Sequence, residues 1–193
     1  MKSHVKWFLP LIAVFLMSAC VSQVRPFQYY TLKPVVEGES GQTRVSSIGV
    51  APARIPGWMD RSGLIINDGG YKLIRFDNQR WGEPLQDAIT RTLTQNLMAL
   101  FPHSDIQAGP WLRSQAPDIA VAVDINNLAW SGNNMELDAS FTLLKKQASV
   151  EFRTVRLTRN LPKGSTSEQW VESFSYLLAD LSQRIEKGIV AQH

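Results

Sequence analysis

The chain of 193 residues has a single cysteine, Cys20, and few long apolar runs. One cysteine cannot form an intrachain disulfide, so the fold must be stabilised by its apolar core. The apolar run before Cys20, from Trp7 to Met17, has 11 residues. Crossing a ~30 Å hydrocarbon core takes about 20 helical residues. This run is therefore too short to be a transmembrane anchor.

What precedes Cys20 has the pattern of a bacterial secretory leader. Lys2 and Lys6 supply a positive start, the apolar run follows, and small residues stand just before the cysteine. The ending is similar to the lipoprotein signal, in which the cysteine thiol is acylated and becomes the first residue after cleavage. Met17 stands where Leu is usual. We expect residues 1–19 to be a signal peptide and Cys20 to be lipidated.

The net charge is small once the leader is removed. The whole chain has 20 Lys and Arg against 17 Asp and Glu, and the leader holds two of the lysines, so 18 bases face 17 acids. This balance does not favour a nucleic-acid partner. Residues 20–26 form a short tether, about 20–25 Å when extended. Val21 in place of Asp after Cys20 favours the outer membrane, so residues 27–193 are expected as one periplasmic domain close to that bilayer.

Strand periodicity dominates the middle of this domain. Asn67-Asp68-Gly69-Gly70 between two β-rich runs predicts a hairpin. Apolar residues alternate with polar ones from Ile119 onward, with turns at 131–134 and near 146–149 and a third run at 150–157. This pattern predicts an antiparallel meander with one polar face.

Two stripes at spacings of three and four predict amphipathic helices. The first lies between Pro84 and Pro102, and the second follows a Ser165–Glu168 capping box. Their apolar positions are Leu85, Ala88, Ile89, Thr92, Leu93, Leu97 and Leu100, then Trp170, Phe174, Leu177, Leu178, Leu181, Ile185 and Ile189. The expected fold is α+β, with two layers: a mainly antiparallel sheet and two amphipathic helices on one of its faces.

Residues that could carry catalysis are few. His103 and His193 are the histidines after residue 19, too few for a zinc cluster of ordinary spacing. A Ser-His-Asp set with His103 is conceivable, but the sequence has no Gly-x-Ser-x-Gly turn. We expect no enzyme activity, no metal and no cofactor. Several charged residues are expected on solvated surfaces instead: Asp60, Asp77, Glu83, Asp87, Arg153, Arg156 and Arg159.

An apolar loop stiffened by proline is the best candidate for a contact surface. It runs from Ile55 to Arg61 and carries residue types that are enriched in protein interfaces. The alternative is a loop that folds back over the core, which suits a large tryptophan equally well. The candidate partner-binding residues are Ile55, Pro56, Trp58, Met59 and Arg61.

Several segments together resemble the PqiC (YmbA-like) family of ABC-type transport auxiliary lipoproteins. They include 17–20 at the leader's end, Tyr29–Leu32, Ile48–Val50 leading to the loop at 55–61, and Phe141–Leu144. The sharpest segment is Arg80-Trp81-Gly82-Glu83-Pro84-Leu85, which departs from the family at Gly82, where Ala is expected.

This resemblance implies an outer-membrane lipoprotein that faces the periplasm and has no catalytic role. Its partner would be an MCE-domain protein (PqiB-like) anchored in the inner membrane, whose conduit carries lipid between the membranes and supports envelope integrity. The resemblance carries Cys20 over as the acylated residue. Two alternatives stay open: a periplasmic lipid-binding carrier, and an assembly lipoprotein of another envelope export machine. The oligomeric state also stays open, with a homo-oligomer among the options.

Overall fold

The computed structural model describes residues 25–36, 45–145 and 148–192, with the side chain of Arg113 set aside. Within these ranges, eight strands form one mixed sheet and two α-helices pack together against it. The expected α+β class is confirmed. The predicted signal peptide (1–19), Cys20 and the first tether residues (21–24) lie outside the described residues.

Along the chain, four strands precede the first α-helix and four more precede the second. Neither α-helix in the described ranges is long and apolar enough to cross a bilayer. The strands are β1 (Gln28–Tyr30), β2 (Ser47–Val50), β3 (Gly63–Asn67), β4 (Leu73–Trp81), β5 (Asp105–Ala108), β6 (Ile119–Ser131), β7 (Asn134–Lys145) and β8 (Ala148–Asn160), and the helices are α1 (Leu85–Leu100) and α2 (Ser167–Ala191).

Strand β6 lies in the middle of the sheet and has partners along both of its edges. One edge pairs antiparallel with β7, and β7 pairs antiparallel with β8, which confirms the predicted meander. The other edge pairs with β2 near its start and with β3 at its end, both in parallel. Strand β5 flanks β2, and β4 then β1 flank β3. The long pairings are antiparallel, whereas the parallel pairings are short. Alternation of residue types along the sequence did not predict the parallel pairings.

The hairpin predicted at Asn67–Gly70 joins β3 and β4. Asp68 N–H donates to Lys72 O over 3.0 Å, which closes the turn. Gly69 has a φ of +88°, and a Cβ there would lie 2.9 Å from Ser131 Cβ. Glycine is required on both counts, since L side chains avoid this φ and the β6–β7 turn leaves no room.

Helix α1 buries the whole stripe that its periodicity predicted, from Leu85 to Leu100. It begins directly after Pro84, and the N–H of Phe101 closes its last turn on Leu97 O. Thr90 ties the helix to the segment after β2, because its Oγ1 accepts the Ala53 N–H at 3.0 Å. The helix therefore covers the β2–β5 half of the sheet.

Helix α2 buries its predicted stripe against β7, β8 and α1. Its capping box is Thr166 with Gln169, one residue later than the Ser165–Glu168 pair that the sequence predicted. Ser165 is occupied in the preceding turn, where its Oγ donates to Pro162 O at 2.7 Å. The ring of Trp170 packs in a tilted arrangement against Trp81, Phe174 and Phe76, at centroid distances of 5.9–6.1 Å, so the predicted core roles of Trp81 and Trp170 are confirmed.

Candidate functional site

The loop from Ile55 to Arg61 leaves the sheet where a short parallel bridge ends. Arg54 pairs with Asp124 of β6, with its N–H on Val123 O and its carbonyl accepting from Ile125 N–H. Pro56 then interrupts the ladder because it has no N–H to donate. A turn follows, in which Met59 N–H donates to Pro56 O at 2.9 Å. The loop is therefore a short turn that lies beside β6.

Side chains of this loop divide between the core and the surface. Met59, which the sequence predicted as a partner contact, is only 1% exposed and belongs to the apolar core, so its side chain is not part of the loop's surface. It is buried because the turn at 56–59 directs it under the loop. Ile55 and Trp58 are half-buried against the same core, and Arg61 is exposed. The surface available to a partner consists of Ile55, Pro56, Trp58 and Arg61.

An ion pair fixes the base of the loop. The Arg54 guanidinium binds the Asp124 carboxylate through two nitrogens, with Nη2 to Oδ2 at 2.7 Å. The side-chain hydrogen bond to Asp124 raises the pKa of Arg54, and the attraction of the carboxylate adds to it. The pair is exposed on the face of the sheet that the two helices do not cover, here called the open face. Its role is therefore to orient the strand end rather than to supply stability.

The segment from Arg80 to Leu85 also has a structural role. Glu83 Oε1 accepts from Arg91 Nη2 at 2.5 Å and from Thr31 Oγ1 at 2.8 Å, and Arg91 also donates to Leu32 O at 3.1 Å. The hydrogen bond from Arg91 lowers the pKa of Glu83. This network joins the chain after β1 to α1. Gly82 lies before the helix, so it costs α1 nothing.

The three arginines of β8 do not converge. Arg156 forms a bidentate pair with Asp138 on the open face, whereas Arg159 binds Asp180 of α2 at 3.3 Å and stacks over Tyr176. Arg153 pairs with Glu151 of its own strand. Glu151 also accepts from Gln192 Nε2 at the end of α2 at 3.2 Å, so Arg153 and Arg156 point to opposite faces, as predicted. Each guanidinium is already matched by a carboxylate.

Candidate acid–base groups are likewise scattered. His103 is exposed in the turn after α1, and Asp60 and Asp87 are exposed on separate elements. Asp77 lies 3.7 Å from Arg75 of its own strand. Among the described residues, no group of three His, Cys, Asp or Glu side chains is placed to hold a metal ion. The structure thus brings none of these side chains together.

A half-open groove lies between the segment after β1 and the first turns of α2. Its volume is about 750 Å³, within the range of small-molecule sites. The walls mix tyrosine and valine side chains with charged ones: Tyr29, Tyr30, Val35, Lys33, Glu168 and Glu172. An acyl chain needs an enclosed apolar lining, since burying charged groups beside it is costly. The groove therefore gives little support to the lipid-carrier alternative.

Sequence reasoning missed an exposed apolar pair just after the hairpin turn, which includes Tyr71, the most exposed large apolar side chain among the described residues. Tyr71 is fully exposed and Leu73 is 44% exposed, with Lys72 between them. The available signal was an aromatic residue directly after a glycine turn, where a strand has not yet begun. A tyrosine there has no strand beneath it to pack on.

Comparison with known proteins agrees with the architecture. Residues 30–186 match the family model of the ABC-type transport auxiliary lipoprotein component. A crystal structure of an uncharacterized protein superposes with a TM-score of 0.70 at 16% identity, covering 86% of this chain and 99% of that chain. Protein XCC0632 from Xanthomonas campestris gives a TM-score of 0.65 at 14% identity, with coverages of 86% and 100%. Comparison with curated proteins gives no match. At these identities the two structures show the fold alone.

Proposed function

The chain belongs to the family of ABC-type transport auxiliary lipoprotein components, and from this premise we propose that it is an outer-membrane-anchored adaptor. It docks the far end of an MCE-domain lipid conduit whose protein is anchored in the inner membrane, and so contributes to envelope integrity. The match over residues 30–186 carries this proposal, together with the leader that ends at Cys20. Acylation of Cys20 holds the domain 27–193 at the periplasmic face of the outer membrane.

An adaptor needs a rigid surface rather than a reaction centre, and we expect no catalysis. The loop at 55–61 supplies such a surface, because a core residue, Met59, fixes it from below. Trp58 and Arg61 are of the residue types that dominate binding energy in interfaces. Trp58 is half-buried on the core, so its exposed part is held in place and loses little entropy on binding. We propose Ile55, Pro56, Trp58 and Arg61 as the docking contacts.

Co-isolation of the full-length acylated chain with the MCE-domain protein tests this proposal. Both proteins are extracted in mild detergent, and the amount of MCE-domain protein retained is measured. Replacing a central interface residue typically costs about 2 kcal/mol or more, so Trp58→Ser and Arg61→Ser are expected to weaken binding roughly 30-fold. Leu112→Ser is the matched control, since Leu112 is equally apolar and 67% exposed on a different loop.

The outcomes separate the alternatives. Retention that is undiminished by both substitutions would remove the loop from the docking site. Recovery of a component of another envelope export machine, with no MCE-domain protein, would favour the assembly-lipoprotein alternative. Stoichiometric phospholipid that copurifies with the chain would favour a carrier. Fractionation of the acylated chain with the inner membrane would overturn the proposed localisation.

A further inference from the structure

We propose that the tip of the β3–β4 hairpin, residues Asp68–Leu73, is a second contact with the bilayer that holds the acylated Cys20. In this arrangement the side chains of Tyr71 and Leu73 enter the headgroup region, with Lys72 among the lipid phosphates. The proposal rests on acylation of Cys20, which is part of the proposed function. It adds an orientation of the domain that a lipid anchor alone does not provide.

Exposure of the tip is built into its backbone. Asp68 Oδ1 accepts from Gly70 N–H at 2.9 Å and from Lys72 N–H at 3.3 Å, and Asn67 Oδ1 accepts from Gly69 N–H at 2.7 Å. These bonds fix the turn on which Tyr71 is exposed, and Leu73, the first paired residue of β4, is exposed beside it. Tyrosine is enriched at the membrane–water interface, where its ring is half in hydrocarbon and its hydroxyl stays wet. A rigid turn that displays tyrosine, lysine and leucine in succession suits that interface.

Chain direction brings the anchor to this end of the molecule. Strand β1 runs parallel to β4, with Gln28 opposite Gln79, and β4 starts at the tip. Followed backward from Gln28, the chain therefore heads toward the tip, and Arg25 and Pro26 lie beside Asp77 and Asn78. From Arg25, five more residues lead to Cys20, and fully extended they reach about 17–18 Å. Along β4, Asp77 is only about 13–14 Å from Leu73 at the tip. The attachment point can thus lie level with the tip.

Two other turns share this end. Gly69 packs on Ser131, the last residue of β6. In the β6–β7 turn that follows, Asn133 O accepts from Leu161 N–H at 2.7 Å, just before the turn at 162–165. Lys163 is exposed there beside α2, as is Glu168 in its first turn. The three turns form one end of the domain, with Lys72 and Lys163 available to anionic headgroups.

Tethering makes a weak tip contact sufficient. An acyl anchor held within about 18 Å of Arg25 raises the effective concentration of the bilayer surface at the tip to the millimolar range or above. Helix α2 begins at this end and runs away for 25 residues, about 37 Å. Its last turn lies by the end of β7, where Lys145 Nζ donates to Gln192 O at 3.4 Å. The far end of the domain would then face the periplasm.

A single-cysteine label tests the contact. Acylation blocks the thiol of Cys20, so Tyr71→Cys gives the full-length chain one reactive thiol for an environment-sensitive nitrobenzoxadiazole label. The labelled protein is reconstituted in vesicles of phosphatidylethanolamine and phosphatidylglycerol, three to one. We expect a blue-shifted emission, quenching by lipid-borne nitroxide, and loss of quenching by aqueous iodide. Ser149→Cys, exposed at the start of β8, is the control and should respond in the opposite way.

A second variant checks that the tip causes the orientation. Lys163→Cys, labelled alike, should lose its lipid quenching when Tyr71→Ser and Leu73→Ser are added. Mass spectrometry of the same sample reports acylation. An unmodified Cys20 would overturn this proposal and the proposed function together. An acylated chain whose label at 71 stays accessible to iodide would overturn this proposal alone, as would a label shielded only when the MCE-domain protein is added.

Discussion

Two short apolar segments of this domain, the loop at 55–61 and the hairpin tip at 68–73, have similar composition and opposite placement. In the loop, Met59 is 1% exposed and Trp58 lies half-buried on the core. In the tip, Tyr71 is fully exposed and Leu73 is 44% exposed. The loop lies beside β6 and over the core, whereas residues 68–72 of the tip extend past Asn67 and Leu73, the last pair of β3 and β4. What lies beneath a segment decides whether its apolar side chains are core or surface.

Substitution of Met59 should have the largest effect on stability. Met59→Ala leaves a cavity under the loop, and buried Met→Ala changes typically cost about 2–5 kcal/mol. Urea unfolding followed by circular dichroism measures the change in the free energy of unfolding. Met98→Ala is the control, because Met98 is 46% exposed on α1 and should change this free energy by less than about 0.5 kcal/mol. Equal effects of the two substitutions would contradict the burial of Met59 beneath the loop.

Gly69 tests whether the tip is held in place by its backbone. Gly69→Ala places a Cβ 2.9 Å from Ser131 Cβ at a φ of +88°. Strain of this φ alone costs roughly 1 kcal/mol, and displacement of the β6–β7 turn adds to it. Gly132→Ala is the matched control, since its φ is +62° and its Cβ would meet nothing within 4 Å. A larger loss of unfolding free energy for Gly132→Ala would show that the tip is not packed as described.

The Glu83–Arg91 pair should have a smaller, pH-dependent effect. Its carboxylate is partly exposed, so Glu83→Gln is expected to cost about 1 kcal/mol at neutral pH. Because the folded-state pKa of Glu83 is lowered, mainly by the hydrogen bond from Arg91, its contribution is full above the unfolded pKa of about 4.3. It is lost as pH falls through the folded pKa.

Unfolding free energies of the wild type and Glu83→Gln, measured from pH 7 down to pH 3, should therefore converge at the acidic end. A gap that widens on acidification would reverse the assigned sign.

Much of the scaffold was predictable because local patterns determine it. Both helical stripes, the hairpin and the meander depend on neighbours a few residues apart, and all of them are confirmed. The parallel pairing of β1 with β4 joins residues about 50 positions apart and left no periodic trace. The same limit explains Met59 and Tyr71: composition identifies apolar loop residues, whereas only long-range packing determines which of them face the core. Predicting the capping box at Ser165 failed by one residue because the turn before α2 uses that hydroxyl.

Replacing the apolar tip should have the smallest effect on folding, and this is its diagnostic value. Tyr71→Ser with Leu73→Ser removes side chains that contact little of the fold, so the free energy of unfolding should change by less than about 0.5 kcal/mol. Urea unfolding of the double variant beside Met59→Ala measures the contrast directly. A loss above about 2 kcal/mol would place the tip in the core and remove the reason to assign it to the bilayer. If stability is unchanged and lipid quenching at residue 163 is altered, the exposed side chains of Tyr71 and Leu73 serve membrane contact rather than folding.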